Sequence, residues 1–252
     1  MATEVVGTLD STIVEQGLEE AKGGPERLLR WADARFTGRI ALASSFGAED
    51  VVLIDLWCQV ARLPRVFTLD TGRLPGETYD LMERIRARYD LEVDVFFPQA
   101  REAEGLVREH GPDLFYQGVE LRRLCCHVRK VEPLTRALAG LSAWICGLRR
   151  EQAPTRSRLQ AVEVDDAHGG LLKLNPLADW TTEDVWAYIR SHQVPYNALH
   201  DQGYPSIGCA PCTRAVQPGQ DIRSGRWWWE NPETKECGLH VKEQHEHEPR
   251  TK

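Results

Sequence analysis

Between Arg39 and Phe97 the sequence alternates short apolar runs with longer helical ones. Arg39–Ala43, Arg65–Leu69 and Leu91–Phe97 have the length and apolar content of buried strands. Asp50–Val60 and Glu77–Tyr89 carry apolar positions at helical spacing. A strand–helix–strand–helix–strand succession can bury its apolar faces only as a parallel sheet covered by helices on both sides. The expected fold class is therefore α/β: a doubly wound, mostly parallel sheet flanked by helices. Residues 9–22, 25–36, 101–110 and 118–140 read as further helices, and Ala143–Cys146, Ala161–Val164 and Leu171–Leu174 as further strands. Thr181-Thr182-Glu183-Asp184 has the pattern of a helix cap ahead of Val185 and Ile189. From Gln193 onward Gly, Pro and charge dominate, which reads as loops. The expected organisation is one α/β domain over 1–220 and a mobile tail over 221–252.

Composition narrows the function classes. With 42% hydrophobic and 27% charged residues, the chain has the make-up of a globular protein with a substantial core. A formal net charge of −7 argues against a nucleic-acid-binding domain, which carries a basic footprint. Basic residues nevertheless concentrate locally: Arg122, Arg123, Arg129 and Lys130; Arg149, Arg150, Arg156 and Arg158; Arg223 and Arg226. Solvated helix faces are one reading of these groups, and a small anionic ligand is the other. The opening MATEVVGTLDSTIVEQ lacks a basic segment followed by an apolar one, and no apolar run approaches spanning length. A cytoplasmic protein without membrane contact is expected, in which cysteines stay reduced.

The first strand-to-helix turn is SSFGAED, with Ser44, Ser45, Phe46 and Gly47 between the first strand and its helix. Ligands of doubly wound sheets bind at the carboxyl ends of strands, where helix N-termini and turn amides favour anions. The turn is neither GxGxxG nor a Walker motif, and Ser-Ser before a helix also serves as a plain cap. The second such turn, Asp70-Thr71-Gly72, opens on the same sheet edge.

Seven cysteines are present, at 58, 125, 126, 146, 209, 212 and 237. Cys125-Cys126 is a tandem pair and Cys209-Ala-Pro-Cys212 a CxxC. Four thiolates suit an iron–sulfur cluster or a structural zinc; unrelated buried cysteines are the bland alternative. Neighbours on a regular helix point about 100° apart, so a shared centre requires the helix to deform or the centre to be large. Cys58 and Cys146 sit in apolar surroundings and read as core. Cys237 lies in a polar stretch between Lys235 and His240, two groups that favour its thiolate, although a lone cysteine there is also an ordinary accident of sequence.

The stretches SSFGAED, LDTGRLPGETY, CCHVRKVEPL, ICGLRREQAPTR, GYPSIGCAPCTR, DIRSGRWWWE and KECGLH, in this order, resemble the adenylyl-sulfate and phosphoadenylyl-sulfate reductase family. The resemblance runs from about residue 27 to 240. It implies an adenine nucleotide alpha-hydrolase-like fold. The tandem pair and CxxC together resemble the adenylyl-sulfate branch, which implies a [4Fe-4S] cluster on Cys125, Cys126, Cys209 and Cys212. The resemblance further implies Cys237 as nucleophile, His240 as its helper, and Lys130, Arg223 and Arg226 as groups holding the phosphosulfate. Ser44, Ser45, Phe46, Gly47, Asp70, Thr71 and Gly72 would bind the nucleotide, with Arg149 and Arg156 in an arginine loop. The implied partners are adenylyl sulfate, thioredoxin as electron donor, and further copies of the chain. Use of phosphoadenylyl sulfate, an ATP-pyrophosphatase-type ligase and a zinc-stabilised binding module are the rival readings.

Overall fold

The computed structural model describes residues 11–217, 219–231 and 239. Two helices, α1 (Ser11–Ala21) and α2 (Pro25–Phe36), precede the sheet. Then come β1 (Ile40–Ala43), α3 (Ala48–Val60), β2 (Val66–Leu69), α4 (Gly76–Tyr89), β3 (Val93–Phe96) and α5 (Ala100–His110). They are followed by α6 (Val119–Cys126), α7 (Glu132–Leu138), β4 (Ala143–Ile145), β5 (Val162–Asp165), β6 (Leu171–Leu174) and α8 (Thr182–Ser191). The strand order is β3-β2-β1-β4-β6-β5. All neighbours are parallel except β5, which runs antiparallel to β6. The doubly wound, mostly parallel sheet expected from the alternating pattern is the observed one. Among the described residues, no helix is long and apolar enough to cross a membrane.

Alternation along each strand divides the core into two layers. Ile40 and Leu42 of β1, with Ala143 and Ile145 of β4, point into the larger one, where α3 supplies Val51 through Trp57. Ala41, Trp144 and Cys146 point the other way, onto Leu134 and Leu138 of α7. The helix α3 is apolar nearly all round because it is sandwiched between the sheet, α2 and α8. The chain leaves β1 toward β2 and β3 on one side and later places β4 on the other side. Between the carboxyl ends of β1 and β4 lies the crevice where such sheets bind ligands.

Two elements differ from expectation. The stretch 118–140, read as one helix, is α6, a π turn over His127–Val131, and α7. Pro133 has no N–H to continue the ordinary ladder, and the π turn ends two residues before it, at Val131. Ala161–Val164 is displaced by one residue to Val162–Asp165 and pairs as a hairpin, because only residues 166–170 separate it from β6. Gly169 and Gly170, at φ +76 and +75, close that short connection.

Candidate functional site

A cavity of about 290 Å³ opens over the carboxyl ends of β1, β2 and β4. Ser44, Ser45, Gly47, Thr71, Arg149 and Arg156 line it, as do Lys130, Arg223 and Arg226. The structure thus gathers nine of the sequence-derived candidates around one space. Phe46 is turned away: at φ +58 its ring enters the large core layer and is 1% exposed. Asp70, which is buried, and Gly72, which is exposed, are not among the lining residues. Asp70 Oδ1 accepts from the Gly72 N–H at 2.8 Å and from the Tyr79 hydroxyl at 2.9 Å, which holds the second turn in shape. Cys237 and His240 lie outside the described residues; Leu239, between them in sequence, lines the cavity.

The first turn is wired internally. Ser45 donates through its N–H (2.6 Å) and its hydroxyl (2.8 Å) to Asp50 Oδ2. Ser44 Oγ accepts from the Phe46 N–H at 3.1 Å. Burial, reinforced by the neighbouring Glu49, pushes the Asp50 carboxyl up to about 6, against the pull of the Ser45 and Gly47 hydrogen bonds. Arg149, 2% exposed, donates Nε (2.9 Å) and Nη2 (2.7 Å) to Glu49 and Nη1 (2.9 Å) to Glu151. Its fork therefore ties the first turn to the loop after β4. Arg156 donates to Gln152. His200, another lining residue, is depressed by burial while its ring nitrogen meets the Tyr204 carbonyl at 2.8 Å.

The sequence reading assigned no role to Asp50, Glu49, Gly147 or Gly208. The two glycines are signals in retrospect. A Cβ on Gly147 would lie 2.3 Å from Asp50 Oδ1, and one on Gly208 would lie 2.2 Å from the Arg226 guanidinium. Each glycine adjoins a cysteine in a motif quoted above, and each is small because a charged side chain occupies the space beside it.

A second, smaller cavity of about 20 Å³ is lined by Cys125, Cys126, Cys209 and Cys212, with Arg73, Arg122, Arg129 and Lys130 around them. Lys130 lines both cavities. The π turn begins directly after Cys126, so the tandem pair sits where the helix departs from regular geometry. Cys125, Cys209 and Cys212 are each at least nine-tenths buried, beside Phe115 and Trp227. Burial pushes the Cys212 thiol up to about 12, with Cys209 adding to it, and burial also raises Cys125. The Thr71 hydroxyl and Cys209 sulfur are 3.3 Å apart, and Arg129 donates to the Thr71 carbonyl at 2.7 Å. Both pairs of cysteines are thereby fastened to the second turn. An all-thiol donor set ringed by cations suits a soft, anionic metal–sulfur centre. Among the described residues no three donors stand at the spacing of a single metal ion. Cys58 and Cys146 pack with apolar groups as expected, though Cys146 also faces the larger cavity.

Residues 39–215 match the family model described as phosphoadenosine phosphosulfate reductase domain. A protein of Allochromatium vinosum named adenosine 5'-phosphosulfate reductase is 58% identical over 205 residues, covering 81% of this chain and 79% of its own. One of the same name from Neisseria meningitidis serogroup B is 47% identical over 237 residues, covering 93% and 94%. Among solved structures, phosphoadenylyl-sulfate reductase from Candida auris, a phosphate complex, superposes with a TM-score of 0.70 at 30% identity, covering 82% of this chain and 98% of that one. Yeast FAD synthetase, at 14% identity and a TM-score of 0.54 over 81% of this chain and 67% of its own, shares the fold alone. A match over residues 39–215, together with relatives this similar along most of their length, places the chain in the phosphoadenosine phosphosulfate reductase family.

Proposed function

We propose that the chain reduces adenylyl sulfate to sulfite and AMP in sulfate assimilation, using Cys237 as nucleophile and thioredoxin as reductant, in the cytoplasm. The observation that carries the reading is the pair of adjoining cavities: one basic and nucleotide-sized, one lined by four thiols, with Lys130 in the wall of both. The relatives named adenosine 5'-phosphosulfate reductase support adenylyl sulfate over its 3′-phosphorylated form.

In the proposed reaction the Cys237 thiolate attacks the sulfur of adenylyl sulfate. A sulfur–sulfur bond forms, the bond from sulfur to the phosphate oxygen breaks, and AMP leaves with that electron pair. A thioredoxin thiolate then attacks the Cys237 sulfur and expels sulfite. The second thioredoxin thiol resolves the mixed disulfide, so the dithiol supplies both electrons. The approach of a thiolate to an anionic substrate needs compensating charge, which Lys130, Arg223 and Arg226 supply. Leu239 lines the cavity, and Cys237 is two positions before it in the chain, a span of at most about 7 Å.

Cys125, Cys126, Cys209 and Cys212 would hold a [4Fe-4S] cluster. When bound, it supplies electrostatic and structural support beside the substrate rather than electrons. The tandem pair supports a centre larger than zinc, since neighbouring side chains reach separate corners of a cluster more readily than one ion.

The decisive experiment incubates anaerobically purified protein with adenylyl sulfate and no thioredoxin, followed by mass spectrometry. A sulfonate adduct on Cys237, lost in Cys237→Ser, is expected. An adduct on Cys58 or Cys146 instead overturns the nucleophile. Iron and sulfide in equal amounts are expected on analysis, and a colourless zinc protein sinks the cluster. Phosphoadenylyl sulfate reacting faster than adenylyl sulfate would reassign the substrate.

A further inference from the structure

Beside the cysteine cavity lies an ion pair that touches neither the substrate cavity nor solvent. Arg122, three residues before Cys125 on α6, is fully buried, and its side chain and that of Glu230 are 1% and 2% exposed. The pairing is a two-pronged fork: Nε donates to Oε1 at 2.9 Å and Nη2 to Oε2 at 2.8 Å. The Arg122 guanidinium also lies over the Trp227 ring, 4.8 Å from its centre. The Arg226 guanidinium lies over the same ring at the same distance.

Trp227 is a rigid intermediary. It is 1% exposed, its backbone stands at φ +41, and its N–H donates to the Cys212 carbonyl at 3.2 Å. A left-handed tryptophan persists only where its surroundings over-determine it. Arg226 is held by its neighbours too: Nη1 donates to the Ile207 carbonyl at 3.0 Å, and Gly208 leaves room for the guanidinium.

A buried ion pair adds little net stability over an apolar pair of the same volume, because desolvation offsets the attraction. What this pair adds is placement and charge balance. Two guanidiniums over one ring repel, and the Glu230 carboxylate neutralises the inner one. The outer one then keeps its charge directed at the cavity it lines.

We infer that Arg122 and Glu230 are positioning residues: through Trp227 they hold the Arg226 guanidinium at the anion-binding wall of the substrate cavity. The inference rests on the reading of Arg226 as a group that contacts the phosphosulfate.

The test measures coupling rather than activity. In the full-length, cluster-loaded Cys237→Ser protein, which cannot turn over, adenylyl sulfate affinity is measured by anaerobic calorimetry. Arg226→Met should weaken binding by about tenfold or more, and the paired change Arg122→Met with Glu230→Met by about tenfold, with little change in melting temperature. Arg122 also hydrogen-bonds Cys126, so the variants are compared at equal iron and sulfide content, and combining all three should then bind no more weakly than Arg226→Met alone. A merely structural pair would give multiplying losses, and that outcome, or a paired variant binding as tightly as the parent, overturns the inference. Should the paired variant not fold, Arg122→Lys keeps the charge, loses the fork, and is judged by the same coupling with Arg226→Met. If Arg226→Met binds like the parent, the reading of Arg226 falls first and the positioning role with it, a result distinguishable from multiplying losses.

Discussion

Asp50 carries its charge where burial works against it. Its carboxyl is pushed up to about 6 although Ser45 donates to it twice, so desolvation outweighs those hydrogen bonds. The pH consequence follows from the sign. Below about pH 4 the group is protonated in folded and unfolded chains alike and costs nothing. Between about 4 and 6 the unfolded chain releases its proton first, so stability falls as pH rises. Above about 6 the full cost is present. A shift of roughly two pH units corresponds to about 3 kcal/mol at most. Asp50→Asn keeps an acceptor for Ser45 and removes the charge. The stability of the variant relative to the parent, from urea melts, should therefore rise between pH 4 and 6 and level off above. A difference that stays flat from pH 4 to 8 would show an ordinarily titrating carboxylate. None of this was visible in SSFGAED, where Asp50 reads as one of two acids in a first helical turn. Its cost comes from burial in the folded chain, where Gly147, nearly a hundred residues away, packs beside it.

At the scale of elements, α8 shows what the sequence does reveal. The Thr181 hydroxyl accepts from the Asp184 N–H at 3.1 Å, and Asp184 Oδ2 accepts back from the Thr181 N–H at 2.8 Å, the reciprocal box that the four residues spelled out. Thr181→Ala should cost about 1 kcal/mol in thermal or urea unfolding. Nucleotide affinity should be unchanged, because Arg149 stays anchored to Glu49; a matching loss of affinity would mean that α8 itself sets the cavity wall. Strands β1, β2 and β4 were legible for a similar reason: a strand buried on both faces reads as a continuous apolar run. The direction of β5 was not, since an apolar run carries no direction. The signal lay instead in the short link over 166–170, with its Gly169-Gly170 pair, too brief for the crossover a parallel neighbour needs. The π turn was likewise hidden, because 118–140 keeps helical periodicity on either side of it. The cysteine set was legible because few other roles bring sulfur together in pairs. The Arg149–Glu49 and Arg122–Glu230 pairs were not, since each joins residues about a hundred positions apart.

The molecule as a whole has two core layers on the sheet and a third apolar cluster apart from them. That cluster joins Leu106 of α5, Leu114, Phe115, Cys125, Cys209, Cys212 and Trp227. Its members come from segments distant in the chain, and among the described residues after 209 no helix exceeds three residues. Little regular backbone bonding holds that loop, so a shared centre on the four thiols would be its main cross-link. Stability in such a region is local and separable from the sheet. Removing iron anaerobically with a chelator should therefore lower hydrogen-exchange protection in α6 and residues 209–230 by about tenfold or more, while β1, β2 and β4 keep theirs. Lys130 lines both cavities, so the stripped protein should also bind adenylyl sulfate less tightly, by a factor that shrinks as salt screens the lysine. Equal loss of protection across sheet and loop would mean that the centre supports the whole fold. No loss in either would mean that the four cysteines hold their region together as thiols, by packing alone.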